Sequence, residues 1–463
     1  MYKVDFKNKI NVHFLGIGGI SMSSLAMILK NAGMNVSGSD IIEQDTTMML
    51  ESNGIKVFYT QTKNNINDKI DLVIYTASIS NDNEELIECK RRKIPLLTRA
   101  ELLGEIMNNY EESINIAGTH GKTTTTSLVS KILLDASLDP TITVGGMLPE
   151  INGNYRIGGT KYFVTEACEY TNSFLNFKPT SEIILDIEED HLDFFKDIED
   201  INNSFKKFIN LVPKDGMVII NKDIKDYKKL VSESKAQIIT YGLNEKADFY
   251  AKDIIFDNNA YPTFTLYNKN KKIDVFSLSI PGIHNVENSI AAIAFSIKKG
   301  ISLDIIKNSL KDFHGAKRRF QLKGTLNGAF VFDDYAHHPS EIKATLNVTK
   351  NIKHNKLFVV FQPHTYTRTK NFLEDFGKAL SMADVCILSP IYAAREKNTI
   401  GISSKDIIKF INNKTNSLYF NNFSDIENYL NNNVQKNDLV ITMGAGNIYQ
   451  IADNIVKKEK QNE

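Results

Sequence analysis

The sequence feature that most restricts the fold is a glycine- and lysine-containing loop between an apolar run and a helical pattern. The run covers residues 114–117, the loop reads Gly118-Thr-His-Gly-Lys-Thr-Thr124, and the helical pattern extends from Lys122 to about residue 134. Glycines let backbone N–H groups surround phosphate oxygens, and the start of a helix adds a favourable partial charge. The order of strand, loop and helix therefore predicts a phosphate-binding loop at the edge of a parallel sheet.

The polar side chains of this loop indicate a nucleoside triphosphate with its metal ion. Lys122 has the length to reach the β- and γ-phosphates, and the Thr123 hydroxyl is a typical Mg²⁺ ligand. The spacing differs from the standard motif, because Ile116 occupies the position of the leading glycine. The residues predicted to surround the phosphates of ATP are Gly118, Thr119, His120, Gly121, Lys122, Thr123 and Thr124.

Outside the loop, short apolar runs alternate with helical patterns along most of the chain, which is typical of α/β folds. A polar break at 110–113 and a third block that begins near Gly315 divide this alternation into three. We predict three domains, each an open, mostly parallel sheet flanked by helices. They are a Rossmann-like domain at 1–110, a central P-loop ATPase-like domain at 111–314 and a C-terminal Rossmann-like domain at 315–463.

Composition excludes several classes of function. Lys+Arg and Asp+Glu number 55 each, so no overall positive field points to nucleic acid or an anionic membrane. The three cysteines, at 89, 168 and 386, lack the spacing of a disulfide framework or a zinc site. No apolar run reaches the roughly 18 residues that span a bilayer. We expect a cytoplasmic protein with no nucleic-acid partner and no membrane insertion.

Acidic residues and a histidine follow two further predicted strands. Glu166 comes just after the run 162–165, and the segment Asp186-Ile-Glu-Glu-Asp-His-Leu-Asp193 continues the run 183–186. Ligands of open α/β sheets bind at such strand ends, and hard oxygen ligands suit Mg²⁺. Thr123 and Glu166 are therefore candidate ligands of Mg²⁺, with Mn²⁺ as an alternative ion, and His191, which is weak evidence when taken alone, could complete the metal site.

The same acidic segment also has a purely structural interpretation. Residues Glu188, Glu189 and Asp190 could form a solvated turn, and the sequence favours neither interpretation.

A second glycine loop lies near the start of the chain, between a predicted strand at 10–15 and a helix at 21–32. It resembles a dinucleotide-binding turn, although Ser21 stands where the third glycine would be. Alone, the loop would suggest a nicotinamide-dependent oxidoreductase, but the diphosphate of a UDP-sugar fits it for the same physical reasons. The residues predicted to contact this substrate are Gly16, Gly18, Gly19, Ser39 and Asp40.

The third block carries two polar motifs after predicted strands. They read Asp333-Asp-Tyr-Ala-His-His-Pro-Ser340 and Phe361-Gln-Pro-His-Thr-Tyr-Thr-Arg368, and Lys317-Arg-Arg319 precedes them. Histidine, tyrosine and arginine side chains at strand ends suit an amino-acid carboxylate or a nucleotide.

Taken in order, the motifs resemble those of the Mur ligases from about Val12 to Ile451. They are GIGG, AGTHGKTT, EACE, EEDHLD, PGIHNVEN, GAKRRF, DDYAHHPSE and FQPHTYTRT. The resemblance implies that the first domain binds UDP-N-acetylmuramate, the central domain binds ATP and Mg²⁺, and the last admits L-alanine. The implied activity is ATP-dependent amide formation through an acyl phosphate, in bacterial peptidoglycan precursor synthesis. We expect a monomer or a homodimer, with hinges near residues 110 and 315.

The resemblance also implies roles for individual residues. Near the nucleotide it places His284, Asn285, Asn288 and Arg319. In the amino-acid site it places Tyr335, His337 and Arg368. Lys122, His191 and His337 are the implied catalytic residues, and either histidine could take the proton of the amine.

Some family features do not carry over, and three other functions stay open. Ala336 stands where many relatives have glycine, and neither Lys206 nor Lys207 matches a carbamylated-lysine motif. The alternatives are a family member that attaches a recovered tripeptide to the same sugar, a nicotinamide-dependent oxidoreductase, and a non-catalytic sensor of nucleotide sugars.

Overall fold

The computed structural model describes residues 2–76, 78–394 and 396–462. The chain forms two compact units. Unit 1 consists of Met1–Glu189, Lys196–Tyr241 and Ala291–Ile305. Unit 2 consists of Asp190–Phe195, Gly242–Ile290 and Ile306–Glu463.

The first sheet of unit 1 has five parallel strands in the order β3-β2-β1-β4-β5. Its strands are β1 (Asn11–Leu15), β2 (Asn35–Ser39), β3 (Lys56–Phe58), β4 (Leu72–Tyr75) and β5 (Leu96–Thr98). The helices are α1 (Ile20–Asn31), α2 (Asp45–Ser52), α3 (Glu84–Arg92) and α4 (Arg99–Met107), with a 3-10 turn at Lys63–Asn65. The strand order reverses between β1 and β4, so the loop after β1 opens at the crevice where such sheets bind ligands.

The second sheet of unit 1 carries the phosphate-binding loop. Its strands are β6 (Glu112–Ala117), β7 (Thr141–Leu148), β8 (Gly153–Arg156), β9 (Tyr162–Glu166), β10 (Ser181–Ile184), β11 (Met217–Asn221) and β12 (Gln237–Gly242). The helices are α5 (Lys122–Asp135), α6 (Ile198–Ile209) and α7 (Tyr227–Leu230), with 3-10 turns at Pro149–Ile151 and Tyr170–Asn176.

These strands run in the order β12-β11-β10-β6-β9-β7-β8, and all but the edge strand β8 are parallel. The carboxyl ends of β6, β9 and β10 therefore meet at one edge of the sheet, as the sequence predicted. β6 begins at Glu112, two residues before the strand predicted at 114–117. A buried strand can accommodate that carboxylate at its first, half-exposed position.

Helix α4 packs closely against the 3-10 turn that follows β9. A Cβ atom on Gly104 would lie 2.0 Å from the carbonyl oxygen of Asn176, so only glycine allows this approach. At the end of the helix, the Met107 sulfur accepts a hydrogen bond from the backbone N–H of Lys178 at 3.4 Å. The first sheet and the phosphate-loop sheet are thus joined within unit 1 by backbone-to-backbone packing.

We expect Gly104→Ala to destabilise the protein, although alanine favours helices. The added methyl group overlaps a backbone oxygen, and such overpacking costs about 2 kcal/mol after the gain in helix propensity. Thermal unfolding of the full chain, followed by circular dichroism, measures the effect. Gly153→Ala is the control, because its nearest neighbouring atom lies 3.6 Å away. Equal melting temperatures for the two variants would contradict the prediction.

Unit 2 contains three antiparallel strands, β13 (Phe249–Phe256), β14 (Pro262–Asn268) and β15 (Lys271–Ser277). Its six-stranded sheet has the order β16-β17-β21-β18-β19-β20. Those strands are β16 (Gln321–Leu326), β17 (Ala329–Asp334), β18 (Leu357–Phe361), β19 (Val385–Leu388), β20 (Asn416–Tyr419) and β21 (Leu439–Met443). All are parallel except β16.

The remaining helices include two that have residues in both units, α8 (Ile283–Lys298) and α9 (Leu303–Lys311). The others are α10 (Pro339–Thr349), α11 (Tyr366–Asn371), α12 (Leu373–Leu380), α13 (Lys405–Ile408), α14 (Phe423–Asn433) and α15 (Tyr449–Asn462). They cover both faces of the six-stranded sheet, which has one buried apolar cluster on each face. Among the described helices, none has the length and apolar character to cross a membrane.

The predicted fold class is confirmed. The chain contains three α/β sheets that are mostly parallel, and the antiparallel exceptions are β8, β16 and the β13–β15 group.

Candidate active site

The loop between β6 and α5 has the backbone geometry of a phosphate-binding turn. Gly118 has φ +146° and Gly121 has φ +77°, which are conformations that side-chain-bearing residues rarely adopt. A Cβ atom on Gly118 would lie 2.9 Å from the Asp186 side chain, which follows β10. Glycine therefore lets the loop pack against the neighbouring strand end while α5 begins directly at Lys122.

Lys122 is held inside this loop. Its ammonium group donates to the carbonyl oxygens of Gly118 and Thr119 and pairs with Glu169, whose Oε2 lies 3.1 Å away. Burial lowers the pKa of Lys122, but the neighbouring acidic groups, Glu169 foremost among them, together raise that pKa above its ordinary value. The lysine is therefore a permanent cation at the start of α5.

Backbone and side chains of the loop bind the segment after β10. The N–H of His120 donates to Asp186 Oδ1 at 2.8 Å, and the N–H of Glu188 donates to the Thr119 hydroxyl at 2.9 Å. Burial raises the pKa of Asp186 to about 6, against the opposing effect of His120. Thr123 is buried and Thr124 half-buried in the first turn of α5.

Glu166 is the last residue of β9 rather than the residue after it. Its Oε1 accepts a hydrogen bond from the Gly145 N–H at 2.6 Å, which fixes the carboxylate at the sheet edge. The Thr123 hydroxyl and a Glu166 oxygen are hard donors on adjacent elements of unit 1, and this donor chemistry fits Mg²⁺. His191 belongs to unit 2, so its place beside them stays a prediction.

Sequence reasoning assigned no role to Glu169, the second glutamate of EACE. Its side chain is 4% exposed and neutralises Lys122. The signal for it was its position three residues after Glu166 on the same strand end. Between them, burial and the Glu169 carboxylate raise the pKa of Cys168 to about 11, against the lowering effect of Lys122 and Arg99.

The acidic turn divides into two parts. Glu188 and Glu189 are exposed, which agrees with a solvated turn, whereas Asp190 is buried. In unit 2, Asp190 pairs with Arg368, whose Nη2 lies 3.0 Å from Oδ1. Burial raises the pKa of Asp190, but the Arg368 guanidinium, together with the neighbouring histidines, holds it well below its usual range. Asp190 is therefore not part of a solvated turn.

A pocket in unit 2 surrounds this ion pair. The residues that line it are Asp190, His191, Leu192, Asp193, His364, Thr365, Thr367, Arg368, Asn371, Phe372 and Glu396. Arg368 Nη1 lies 3.4 Å from His364 Nδ1, and its Nε is buried without a hydrogen bond to any described residue. The pocket thus offers a guanidinium N–H and an imidazole to a small polar ligand.

His337 lies next to His364, and Tyr335 lies next to His337. The His337 ring is 5.9 Å from that of His364 and 5.4 Å from that of Tyr335, edge to face. Nδ1 of His337 lies 3.0 Å from the Tyr335 carbonyl oxygen. Burial lowers the pKa of His337 to about 4, against the raising effect of Glu341. This imidazole is therefore neutral at pH 7, and its Nε2 is the hydrogen-bond acceptor.

The two arginines of KRR have different environments. Arg318 donates to Asp333 at 3.0 Å and to the carbonyl oxygens of Gly444 and Gly446, so it ties three parts of the sheet edge together. Arg319 lies over the Tyr335 ring at 5.2 Å.

The PGIHNVEN motif forms the start of α8. Asn285 donates to the Pro281 carbonyl oxygen at 2.7 Å, and Asn288 donates to the Asn285 side chain at 3.1 Å. Burial and the Arg319 guanidinium lower the pKa of His284 to about 4. The structure thus brings His284 and Arg319 into electrostatic range within unit 2.

In the first sheet, the glycine loop turns between β1 and α1. Gly16 has φ +78° and donates to the Ser39 carbonyl oxygen at 2.8 Å. The N–H of Gly18 donates to Asp40 Oδ2 at 2.8 Å, and Gly19 is the N-cap of α1. Ser39 is fully buried, and its hydroxyl donates to Glu85 at 2.5 Å, so its side chain supports the loop from the sheet side.

Three family models match the chain. They are the Mur ligase family catalytic domain at 11–111, the Mur ligase middle domain at 116–296 and the Mur ligase glutamate ligase domain at 318–446. The chain is 53% identical to the UDP-N-acetylmuramate–L-alanine ligase of Agathobacter rectalis, over 99% of this chain and 100% of the relative.

Solved structures of similar proteins agree. The crystal structure of UDP-N-acetylmuramate–alanine ligase from Thermotoga maritima is 27% identical, covers 98% of this chain and 100% of its own, and has a TM-score of 0.81. A murein peptide ligase from Psychrobacter arcticus shares the fold, with 24% identity, coverage of 97% and 98%, and a TM-score of 0.70. The chain therefore belongs to the Mur ligase family.

Proposed function

We propose that this protein uses ATP to join L-alanine to the carboxylate of UDP-N-acetylmuramate, a step of peptidoglycan precursor synthesis. The observation that carries the proposal is the 53% identity, over both full lengths, to a ligase named for that reaction. The phosphate loop around Lys122 and the pocket around Arg368 supply the two kinds of site that the reaction needs.

In the first half of the reaction, an oxygen of the substrate carboxylate forms a bond to the γ-phosphorus while the bond from that phosphorus to ADP breaks. A free carboxylate reacts poorly with amines because its leaving group would be oxide, whereas an acyl phosphate releases phosphate. Lys122 and the N–H groups of Gly118–Thr124 stabilise the charge that develops on the transferred phosphoryl oxygens. When ATP binds, the Lys122 side chain must turn away from Glu169 and towards the phosphates.

Magnesium belongs to the same proposal. Thr123 and Glu166 would hold the ion, with His191 as a third ligand, and when bound it would neutralise charge on the phosphate oxygens.

In the second half, the amine of L-alanine attacks the acyl carbon and phosphate leaves. Arg368 would bind the amino-acid carboxylate through its buried Nε. His337 is neutral at pH 7 and can accept a hydrogen bond from the amine. Tyr335 holds the His337 ring edge to face, and His191 stays the other candidate for taking the proton.

The remaining assignments are also proposals. His284, Asn285, Asn288 and Arg319 would contact the nucleotide. Gly16, Gly18, Gly19 and Asp40 would contact the UDP-sugar, with Ser39 behind them. The division at residues 110 and 314 is supported by the bounds of the three family-model matches.

Phosphate release by the purified full chain tests the proposal. We expect release with ATP and Mg²⁺ to require both UDP-N-acetylmuramate and L-alanine, with weaker responses to glycine or L-serine. A preference for the tripeptide L-Ala-γ-D-Glu-meso-diaminopimelate would overturn the choice of amino acid. No release with any acceptor, while the sugar nucleotide still binds, would overturn the enzyme and favour a sensor.

A further inference from the structure

Arg99 occupies a position that helix stability does not explain. It is the first residue of α4, whose capping box is formed by Thr98 and Glu101, with Thr98 N–H and hydroxyl donating to Glu101 Oε2 at 2.7 and 2.8 Å. The first turn of a helix carries a partial positive charge, so a cation there is unfavourable. Local rules that are broken in this way are typical of functional positions.

Among the residues that the structure describes, the guanidinium of Arg99 has no carboxylate partner. Within residues 2–76, 78–394 and 396–462, its one hydrogen bond runs from Nη1 to the Ser21 hydroxyl at 3.2 Å. Five other arginines are ion-paired, namely Arg91, Arg92, Arg156, Arg318 and Arg368. The side chain is also half-buried. Arg99 is therefore a partly desolvated cation that is available to an anion.

The neighbours of Arg99 belong to segments that follow the two glycine loops of unit 1. Ser21 lies in the first turn of α1, directly after the loop proposed to hold the diphosphate of the sugar nucleotide. On the other side, Arg99 and Lys122 both act electrostatically on Cys168, in the EACE segment. The approach of Gly104 to Asn176 fixes α4 against the turn that follows this segment. Arg99 thus contacts the helix that follows the sugar-nucleotide loop, and its charge reaches the EACE segment that also contains Glu169.

We propose that Arg99 binds the reacting carboxylate of the sugar nucleotide, which in UDP-N-acetylmuramate is the lactyl carboxylate, and presents it to the γ-phosphate. This assignment rests on the proposed function. The step brings two anions together, and a guanidinium binds a carboxylate through two parallel hydrogen bonds while offsetting their repulsion. One carboxylate oxygen then forms the bond to phosphorus as ADP leaves, and Arg99 stays protonated throughout.

Binding of two probes to the full chain tests this role. UDP-N-acetylglucosamine has the same nucleotide and sugar ring as UDP-N-acetylmuramate but lacks the lactyl carboxylate. Calorimetry should show that Arg99→Met weakens UDP-N-acetylmuramate binding about 10- to 100-fold, as expected for hydrogen bonds to a charged group. The affinity for UDP-N-acetylglucosamine should change less than about twofold. Arg99→Lys should recover part of the lost affinity for UDP-N-acetylmuramate, because lysine keeps the positive charge but not the two parallel N–H groups of the guanidinium.

The control is Arg91→Met, on the exposed face of α3, which should leave both affinities unchanged. The melting temperature of Arg99→Met should stay at the wild-type value, because the lost cation opposed the helix charge. Equal weakening of both probes would place Arg99 at the diphosphate and overturn the proposal, as would no weakening of either. Wild-type protein that binds both probes equally and releases no phosphate would instead refute the proposed function itself.

Discussion

Replacing Lys122 with methionine should lower the rate of ATP-dependent phosphate release about a thousandfold or more, since one preorganised cation at a transferring phosphoryl group contributes on that scale. Methionine keeps the length and apolar stem of the side chain but removes the charge. The same substitution leaves Glu169 buried without its cation, which further weakens ATP binding through repulsion of the phosphates. Steady-state phosphate release measures the loss, and binding of UDP-N-acetylmuramate should stay at the wild-type level.

Lys131→Met is the matched control on the same helix. Lys131 lies on α5 away from the loop, and it pairs at 2.6 Å with Asp135, one helical turn further along. Its loss should change activity by less than about twofold, because pairs at this spacing contribute only tenths of a kcal/mol. If Lys122→Met retained a tenth of the wild-type rate, the phosphate loop would not be the site of the reaction.

The Asp190–Arg368 pair should give the largest stability effect in unit 2. Both side chains are nearly buried, 12% and 11% exposed, so removing one partner leaves an uncompensated charge. Asp190→Asn or Arg368→Met should each lower the free energy of unfolding by about 3 kcal/mol, whereas the double variant should lose less than either single one. The melting temperatures of the wild-type protein, the two single variants and the double variant give the interaction energy between the two side chains. Asp406→Asn breaks an exposed pair with Lys409 and serves as control.

The same pair predicts an acid sensitivity with a defined sign. The Asp190 pKa is depressed in the folded protein, so the unfolded chain binds the proton more readily. The stabilisation is therefore fully present above about pH 4, near the unfolded pKa, and is lost as the pH falls below it. When the pH is lowered from about 6 to about 3.5, the melting temperature of the wild-type protein should fall further than that of Asp190→Asn. Parallel losses would contradict the assignment.

Local sequence patterns were sufficient to predict the sheets and the positions of the loops. The strand predicted at 114–117 and the helix from Lys122 are present. Apolar runs indicate where strands lie, because strands buried on both faces consist mostly of apolar residues. Glycines then fix the turns, because Gly118 and Gly121 adopt conformations that favour them.

Pairings between distant residues could not be predicted in the same way. Asp190 and Arg368 are 178 positions apart, and nothing in EEDHLD separates the buried aspartate from its two exposed neighbours. Glu169 is similar, since its role depends on where α5 directs Lys122. Arg99 was missed because its helix resembles any capped amphipathic segment, and its lack of a carboxylate partner is visible only in three dimensions.

The contact between Gly104 and Asn176 bears on how the polypeptide acquires its shape during synthesis. When the ribosome has released only the first hundred or so residues, α4 can pack on the first sheet, but the turn that contacts Gly104 has not yet been made. Met107, which is buried in the finished protein, then lacks its hydrogen-bond donor Lys178, which has not yet emerged. The amino-terminal sheet is consequently a poor candidate for independent expression, because a cut near residue 110 would leave the Gly104 face of α4 without the turn that packs on it.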